Sequence, residues 1–344
     1  MLTADRPTAA RVAAHAGVSV ASVSRVLNGL SASEEMLLRV NEAVAKLGYR
    51  PNAMARSLKV RRTQQLALAV ADVGNPVYVE MMRAIEVETK ARGYRLLVSS
   101  TGGDLSDTHA LLDSLAQGFA DGLVLSPVRV DDALVDALRR LDLPIVVVGT
   151  VPKNLAVDNV RANSSGGVRL ALEHLHARGR RRIAFVNGPL DTVPGSARRR
   201  AFERTARALG LDAEPALRVE AQDFTLAAGR VAAEAMLDAV VPDAVLGGND
   251  LLAIATMQVV AERGLRIPED VSVVGMDDTE LAGVTTPGLT SVDLGSRERG
   301  RLAARLLLDR LGDPSREVQR VTVQPQLRVR RSSGAGESDT EAES

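Results

Sequence analysis

The chain contains no cysteine. Disulfides, thiolate metal sites and cysteine nucleophiles are excluded together. Tryptophan is also absent, and aromatic residues make up 2% of the chain, so an aromatic lining a binding site comes from a very small supply. No run approaches the roughly 20 consecutive apolar residues that a membrane span requires, and no membrane partner is expected. The opening stretch "MLTADRPTAARVAAHAG" has no apolar signal core and reads as cytosolic. Walker, dinucleotide-binding and nucleophile-elbow motifs are missing. His174 and His176, two apart on a helical stretch, do not share a face, which argues against a metal site. Asp277 and Asp278 are adjacent and point apart, which argues against an acid-base pair. No catalytic residue, metal or cofactor is expected.

What remains is an ordinary globular composition, 45% hydrophobic and 25% charged over 344 residues, enough for two or three domains with real cores. The net charge of zero hides a division. Through Arg62 ten basic residues face four acidic ones, a net +6. A basic head on an otherwise neutral chain points to a polyanion partner for that head alone. At the other end "SSGAGESDTEAES" is small, acidic and devoid of apolar residues, and residues 331–344 read as a disordered tail.

The head, residues 1–50, is patterned as well as charged. Residues 8 to 15 form an Ala-rich helical stretch that Gly17 breaks with a tight turn. Ser19 is placed to cap a second helix. Val23, Val26 and Leu27 share one face of that helix by i, i+3, i+4 spacing. The opposite face carries Val20, Ala21, Ser24, Arg25 and Asn28. Two short helices joined through a glycine turn form a helix-turn-helix, whose second helix enters the major groove of DNA. Arg25 is suited to guanine O6 and N7, and Val20 and Ala21 to thymine methyls. Ser19, Ser22, Ser24 and Asn28 complete the expected DNA-facing set. A third helix starts at an N-cap, Ser33, followed by Glu34 and Glu35 at its positive end. Its expected buried stripe is Leu37, Val40, Val44 and Leu47, and Gly48 stops it.

Residues 50 to 70, "RPNAMARSLKVRRTQQLALAV", change character halfway. The first half reads as a helix of about eight residues from Asn52, with Met54 and Leu58 on one face among Arg56, Lys59, Arg61 and Arg62. Isolated helices need roughly 12–15 residues, so this one is marginal alone. The second half begins a long alternation of apolar strands and helices over residues 63–330. "QQLALAVAD", "YRLLVSS", "DGLVLSP" and "PIVVVGT" form one set, with helices near 76–92, 107–118 and 131–141. "RRIAFVNG", "ALRVEAQD", "DAVLGGND" and "VSVVGMDD" form a second. Such alternation predicts two parallel sheets, each covered by helices on both faces. Ligands of such sheets sit beyond the strand C-termini. The strands here end in small or polar residues, among them Asp72, Ser126, Asn187, Asn249 and Asp277.

The stretches "VAAHAGVSVASVSRVLNG", "LGYRPNAMARSLKVRRTQQLALAV" and "IPEDVSVVGMDD" resemble the lactose/galactose-repressor family of bacterial transcription regulators, in the family's order, from about residue 8 to about 330. The resemblance implies an all-α helix-turn-helix head, a hinge helix within residues 51–62, and an α/β body of two doubly wound lobes like a type I periplasmic sugar-binding protein. Lobe 1 is expected over about 63–161 and 291–320, lobe 2 over about 162–290 and 321–330. It further implies a homodimer on a palindromic double-stranded DNA operator. Leu58 would wedge into the minor groove, Arg56, Lys59 and Arg61 are placed for phosphates, and Asn52, the possible N-cap, belongs to the same DNA-binding set. A small, sugar-like effector would lie between the lobes. The residues matching the family's effector contacts are Asn75, Tyr78, Ser126, Arg198, Phe224, Asn249 and Asp277. One position departs: an ungapped match places Asn163, in "VRANS", where the family usually carries Asp, with Asp158–Asn159 nearby as a substitute if the loop shifts. The expected function is that of a ligand-responsive repressor. A solute-binding protein of a transport system is the rival, opposed by the missing signal core and the basic head, and an enzyme using the cleft is a weaker third.

Overall fold

The computed structural model describes residues 7–27, 29–49, 62–211 and 214–334. The chain divides between Thr63 and Gln64 into two units. In the first, α1 (Ala9–Ala16), α2 (Val20–Leu27) and α3 (Glu34–Leu47) pack around Val12, Val23, Val26, Val40 and Ala43. Thr8 and Ser33 cap α1 and α3 by accepting from the backbone N–H groups of Arg11 and Met36. Gly17 and Gly48 end the same two helices in the left-handed conformation, where a side chain would be strained. Helix α3 is turned slightly from its expected stripe. Leu37 is exposed, and Met36, four residues before Val40, and Ala43, three after it, pack against the core in its place. Arg39 of α3 donates to the carbonyls of Ala16 and Gly17, which pins the turn between α1 and α2.

The body alternates strand and helix. Its first run is β1 (Gln65–Val70), α4 (Pro76–Lys90), β2 (Arg95–Ser100), α5 (Leu105–Ala116), β3 (Leu123–Ser126), α6 (Asp132–Arg140), β4 (Ile145–Val148) and β5 (Asp158–Ala162). The second is α7 (Ser164–Ala177), β6 (Ile183–Asn187), α8 (Val193–Ala208), β7 (Arg218–Glu220), α9 (Leu226–Ala239), β8 (Ala244–Gly247), α10 (Asp250–Glu262), β9 (Ser272–Met276), α11 (Glu280–Val284) and β10 (Thr290–Asp293). The chain ends with α12 (Ser296–Gly312), β11 (Arg320–Val323) and β12 (Gln326–Arg328). The first sheet has the order β11-β5-β4-β3-β1-β2 and is parallel throughout. The second has the order β12-β10-β9-β8-β6-β7, with β12 antiparallel to β10. Apolar clusters cover both faces of each sheet. That double burial is why the central strands, such as "IVVV" of β4, are apolar at every position. Strand β2 differs: it is an edge, and its Leu97 and Val98 are exposed.

Three crossings join the lobes, at β5 to α7, β10 to α12 and β11 to β12. The strand Thr290–Asp293 therefore belongs to the second sheet and Arg320–Val323 to the first, a few residues displaced from the divisions expected at 291 and 321. The tail also begins later than its composition suggests. Arg331–Ser333 form a 3-10 turn with Ser332 and Ser333 buried. Ser332 accepts from the Thr290 N–H and donates to the Val273 carbonyl, and Ser333 bonds the hydroxyl of Thr290 and the imidazole of His174. Small serines fit against the starts of β9 and β10 where composition alone reads disorder. Residues 335–344, and the hinge positions Asn52, Arg56, Leu58 and Lys59, lie outside the described residues, as does Asn28.

Candidate functional site

In the head, Ser19 caps α2 by accepting from the Ser22 N–H at 3.1 Å, and the two hydroxyls bond at 2.9 Å. This fixes the helix while Val23 and Val26 are buried against α1 and α3. The outer face then presents Val20, 50% exposed, with Ala21 and Arg25 also exposed and Ser22 and Ser24 at its margins. A cation, two small apolar groups and hydroxyls on the second helix of this motif are suited to base edges and phosphates in a major groove.

In the body, a cavity of about 420 Å³ lies between the lobes beyond the strand C-termini. Asn75, Tyr78 and Ser126 reach it from the first lobe, Arg198, Phe224, Asn249 and Asp277 from the second. Asn75 and Asn249 also cap α4 and α10, accepting from the N–H groups of Val77 and Leu252. Capping and lining are compatible, since a carboxamide keeps a free donor or lone pair after one bond of each kind. Asn249 further donates to the carbonyl of Phe224, which places the ring. Tyr78 is hydrogen-bonded to Ser126, but burial dominates and pushes its phenol up to about 12, with Asp277 acting in the same direction. Tyr78 is therefore a neutral donor at neutral pH.

Asp277 follows β9 with φ at 107°, a conformation that L-residues rarely adopt. Its N–H is held by the carbonyl of Val292, so the strain is fixed by the sheet. Arg198 stands 3.6 Å from Asp277, donates to the Gly248 carbonyl, and lies 5.9 Å from the centre of the Phe224 ring. Burial raises the Asp277 carboxyl above its ordinary range, and Arg198 and Arg299 oppose that rise.

Asn163, expected at the effector site, turns away from the cavity. The cavity is lined on either side of it by Ala162 and Ser164, but its own carboxamide accepts from the Gly166 N–H and donates to Gln324. It caps α7 and ties two of the lobe crossings together. Asp158 and Asn159 do not substitute for it in the cavity. Both are buried in β5, Asp158 paired with Arg310 and Asn159 donating to the carbonyls of Val147 and Gly149. Conversely, Arg299 lines the cavity and carries no recognisable signal in "GSRERGRL". Alternating arginines on a helix look alike in sequence. Arg301 pairs with Glu298 and Arg297 is exposed, while Arg299 turns inward.

Behind Asp277, Asp250 accepts from the Thr279 N–H at 2.7 Å, the Thr279 hydroxyl at 2.9 Å and the Ser291 hydroxyl at 2.5 Å. Burial, then the charge of Asp277, pushes it up to about 7, and the three hydrogen bonds oppose the rise. A carboxyl with a folded pKa above its unfolded value of about 3.9 holds its proton longer in the folded state. Its contribution is most favourable below about pH 4, is lost as pH rises, and levels off above about 7. Asp250→Asn should therefore remove a stability slope of about 1.4 kcal/mol per pH unit at most between those limits. Urea midpoints for both proteins at pH 4.5, 6 and 7.5 measure it, and parallel profiles would show that Asp250 does not titrate in this window.

Comparison with known proteins agrees with the geometry of both units. Residues 10–52 match the family "Bacterial regulatory proteins, lacI family", and residues 172–333 match a "Periplasmic binding protein-like domain". The ribose operon repressor of Escherichia coli (strain K12) is 33% identical over 322 residues, 93% of this chain and 97% of the relative. A solved complex of the transcriptional regulator CelR with cellobiose shares 34% identity, with a TM-score of 0.72 over 95% of this chain and 100% of that one. The lac repressor dimer bound to operator and an anti-inducer shares 25%, with a TM-score of 0.85 over 96% and 100%. Carrying a helix-turn-helix head and a two-lobed α/β body along nearly its whole length, the chain belongs to the LacI family of bacterial regulatory proteins and is a DNA-binding transcriptional regulator, not an enzyme.

Proposed function

We propose that this regulator is a repressor that binds a near-palindromic operator as a homodimer, and that a small hydroxylated effector in the inter-lobe cavity switches its affinity for DNA. The observation that carries the effector half is the convergence of polar groups from both lobes on one cavity. Asn75, Tyr78 and Ser126 face Arg198, Asn249 and Asp277, with Phe224 available to cover a ring. A ligand touching both sides favours the closed arrangement by its differential affinity for the two states. Among the described residues, a backbone hydrogen bond and two exposed ion pairs also link the lobes near the cavity. Arg129 pairs with Asp191 at 2.9 Å, the Val193 N–H donates to the Val128 carbonyl at 2.7 Å, and Arg83 pairs with Glu280 at 2.7 Å. The ion pairs are exposed, and such pairs contribute about 0–1 kcal/mol each.

Dimerisation is supported by the exposed apolar groups beside the edge of the first sheet, Val87 on α4 with Leu97 and Val98 on β2, which a second copy would cover. The hinge reading of residues 51–62 rests on sequence: a helix too short to persist alone gains order when DNA offsets its entropy cost.

The DNA half is tested at Arg25. Arg25→Ala should weaken specific operator binding by about 1–3 kcal/mol and relax preference at one base pair per half-site. Footprinting and anisotropy titrations against operator and random DNA measure both quantities. Equal losses on the two DNAs would reduce Arg25 to a phosphate contact.

A further inference from the structure

Arg299 projects from the first turn of α12 into the cavity, and its guanidinium makes no hydrogen bond within the protein among the described residues. Its Nε is fully buried and unpartnered. A guanidinium offers five donors and keeps its charge, so leaving it unsatisfied in a largely enclosed place is costly. The carboxylates nearby do not relieve it. Asp277 has Arg198 as its ion-pair partner, and Asp293 accepts from the Gly295 N–H at 2.6 Å. Burial lowers the Arg299 pKa, and the opposing attraction of Asp277 acts through space. Arg198 repeats the pattern: it is 7% exposed, and its Nε also lacks a partner. Of the other charged groups that line the cavity, Arg129 is paired with Asp191, Arg161 donates to Thr322, and Asp72 and Asp223 accept from the N–H groups of Gly74 and Phe224. Arg198 and Arg299 are the two guanidinium groups that act on the single carboxylate of Asp277.

We infer that the effector carries an anionic group, carboxylate or phosphate, on a hydroxylated skeleton, and that Arg299 together with Arg198 seats it. The inference rests on the cavity being the effector site. A guanidinium fork matches both oxyanions in two-bond geometry. Asn249, Ser126 and the neutral phenol of Tyr78 suit the hydroxyls, and Phe224 suits an apolar ring face.

Melting temperatures of the wild type and of Arg299→Met, in phosphate-free buffer at constant ionic strength, test this. Met keeps the length of the side chain and removes the unsatisfied charge, so the unliganded variant should melt higher, by about 1–3 °C. The probes are inorganic phosphate, glucuronate, glucose 6-phosphate, glucose and cellobiose. At least one acidic probe should raise the wild-type melting temperature more than glucose does, and the increment should vanish in Arg299→Met. Glucuronate acting alone assigns a carboxylate; glucose 6-phosphate and inorganic phosphate acting without it assign a phosphate. A lower melting temperature for the unliganded variant overturns the inference, because it makes Arg299 a structural residue. So does the failure of every acidic probe to give an Arg299-dependent shift, whatever the neutral sugars do. Arg299→Gln, still polar and uncharged, provides the same comparison if the Met variant is poorly folded. Operator titrations of the same proteins without small molecules report separately on the regulator reading, since Arg299 lies outside the DNA-binding unit.

Discussion

Gly195→Ala is expected to destabilise the protein by at least about 3 kcal/mol and to abolish effector binding in the same step. Gly195 lies in the first turn of α8, and a Cβ there would stand 1.9 Å from the carbonyl oxygen of Pro189 and 2.8 Å from both the Pro189 carbonyl carbon and the Thr192 hydroxyl. The obstacles are mostly backbone, and the backbone is tied. Thr192 donates to the Pro189 carbonyl and accepts from the Gly195 N–H, and Asn187 donates to the Gly195 carbonyl from the end of β6. The first turn has no soft side chain to displace, so the start of α8 must move as a whole. Arg198 sits one turn further along and moves with it, away from Asp277 and the cavity. Gly312→Ala is the control. Nothing lies within 4 Å of its added Cβ, and at a helix end it should be neutral or stabilising by up to about 1 kcal/mol. Urea unfolding of both variants measures the contrast. A Gly195→Ala protein as stable as the wild type would mean that the tight turn before α8 is not fixed in solution.

The order of elements was legible because its causes are local. A β-strand buried on both faces must be apolar at every position, and "LALAV", "IVVV" and "AFV" announce themselves. Helix caps were equally readable, because Ser33, Asn75 and Asn249 stand where the backbone has free N–H groups. What escaped depends on distant partners. β5 begins with Asp158 and Asn159, which look like a polar loop and are tolerated in a strand only because Arg310 and two backbone carbonyls satisfy them. Ser332 and Ser333 look disordered until Thr290 and Val273 are placed beside them.

The site divided along the same line. Residues at strand ends or in short motifs, such as Asp277 and Arg198, were placed in the cavity by their position in the chain. Asn163 was misplaced because a loop position does not reveal whether a carboxamide turns to its own helix or to the ligand; here Gly166 and Gln324 decide it. Arg299 is not legible in the sequence, because its inward direction follows from how α12 crosses α4. Gly300 lies so close to Met81 that an added Cβ would fall 2.5 Å from the Met81 carbonyl oxygen. That close approach brings the start of α12 to the cavity, and nothing in "RERGR" encodes it.

Arg198→Ala should remove effector binding while leaving operator binding without effector intact. The reason is the state in which it leaves Asp277. That carboxylate is 7% exposed, and its ion-pair partner at 3.6 Å would be gone. Breaking a buried pair from one side costs up to about 3–5 kcal/mol, because the carboxylate keeps its charge with only Arg299 left to act on it through space. The Gly248 carbonyl loses its donor as well. Asp277→Asn leaves the opposite defect, a buried guanidinium facing a neutral amide. Arg198→Ala combined with Asp277→Asn leaves neither charge behind. The double variant should therefore be more stable than the two single losses predict, by on the order of 1–3 kcal/mol. Its effector binding should stay lost, since both groups that fix the ligand have been removed. Urea unfolding of the four proteins gives the coupling energy. Calorimetry with the small molecule that most raises the wild-type melting temperature gives the binding. Additive stabilities would show that the two side chains do not act on one another. Recovery of binding in the double variant would show that the pair shapes the second lobe and that the ligand is held elsewhere in the cavity.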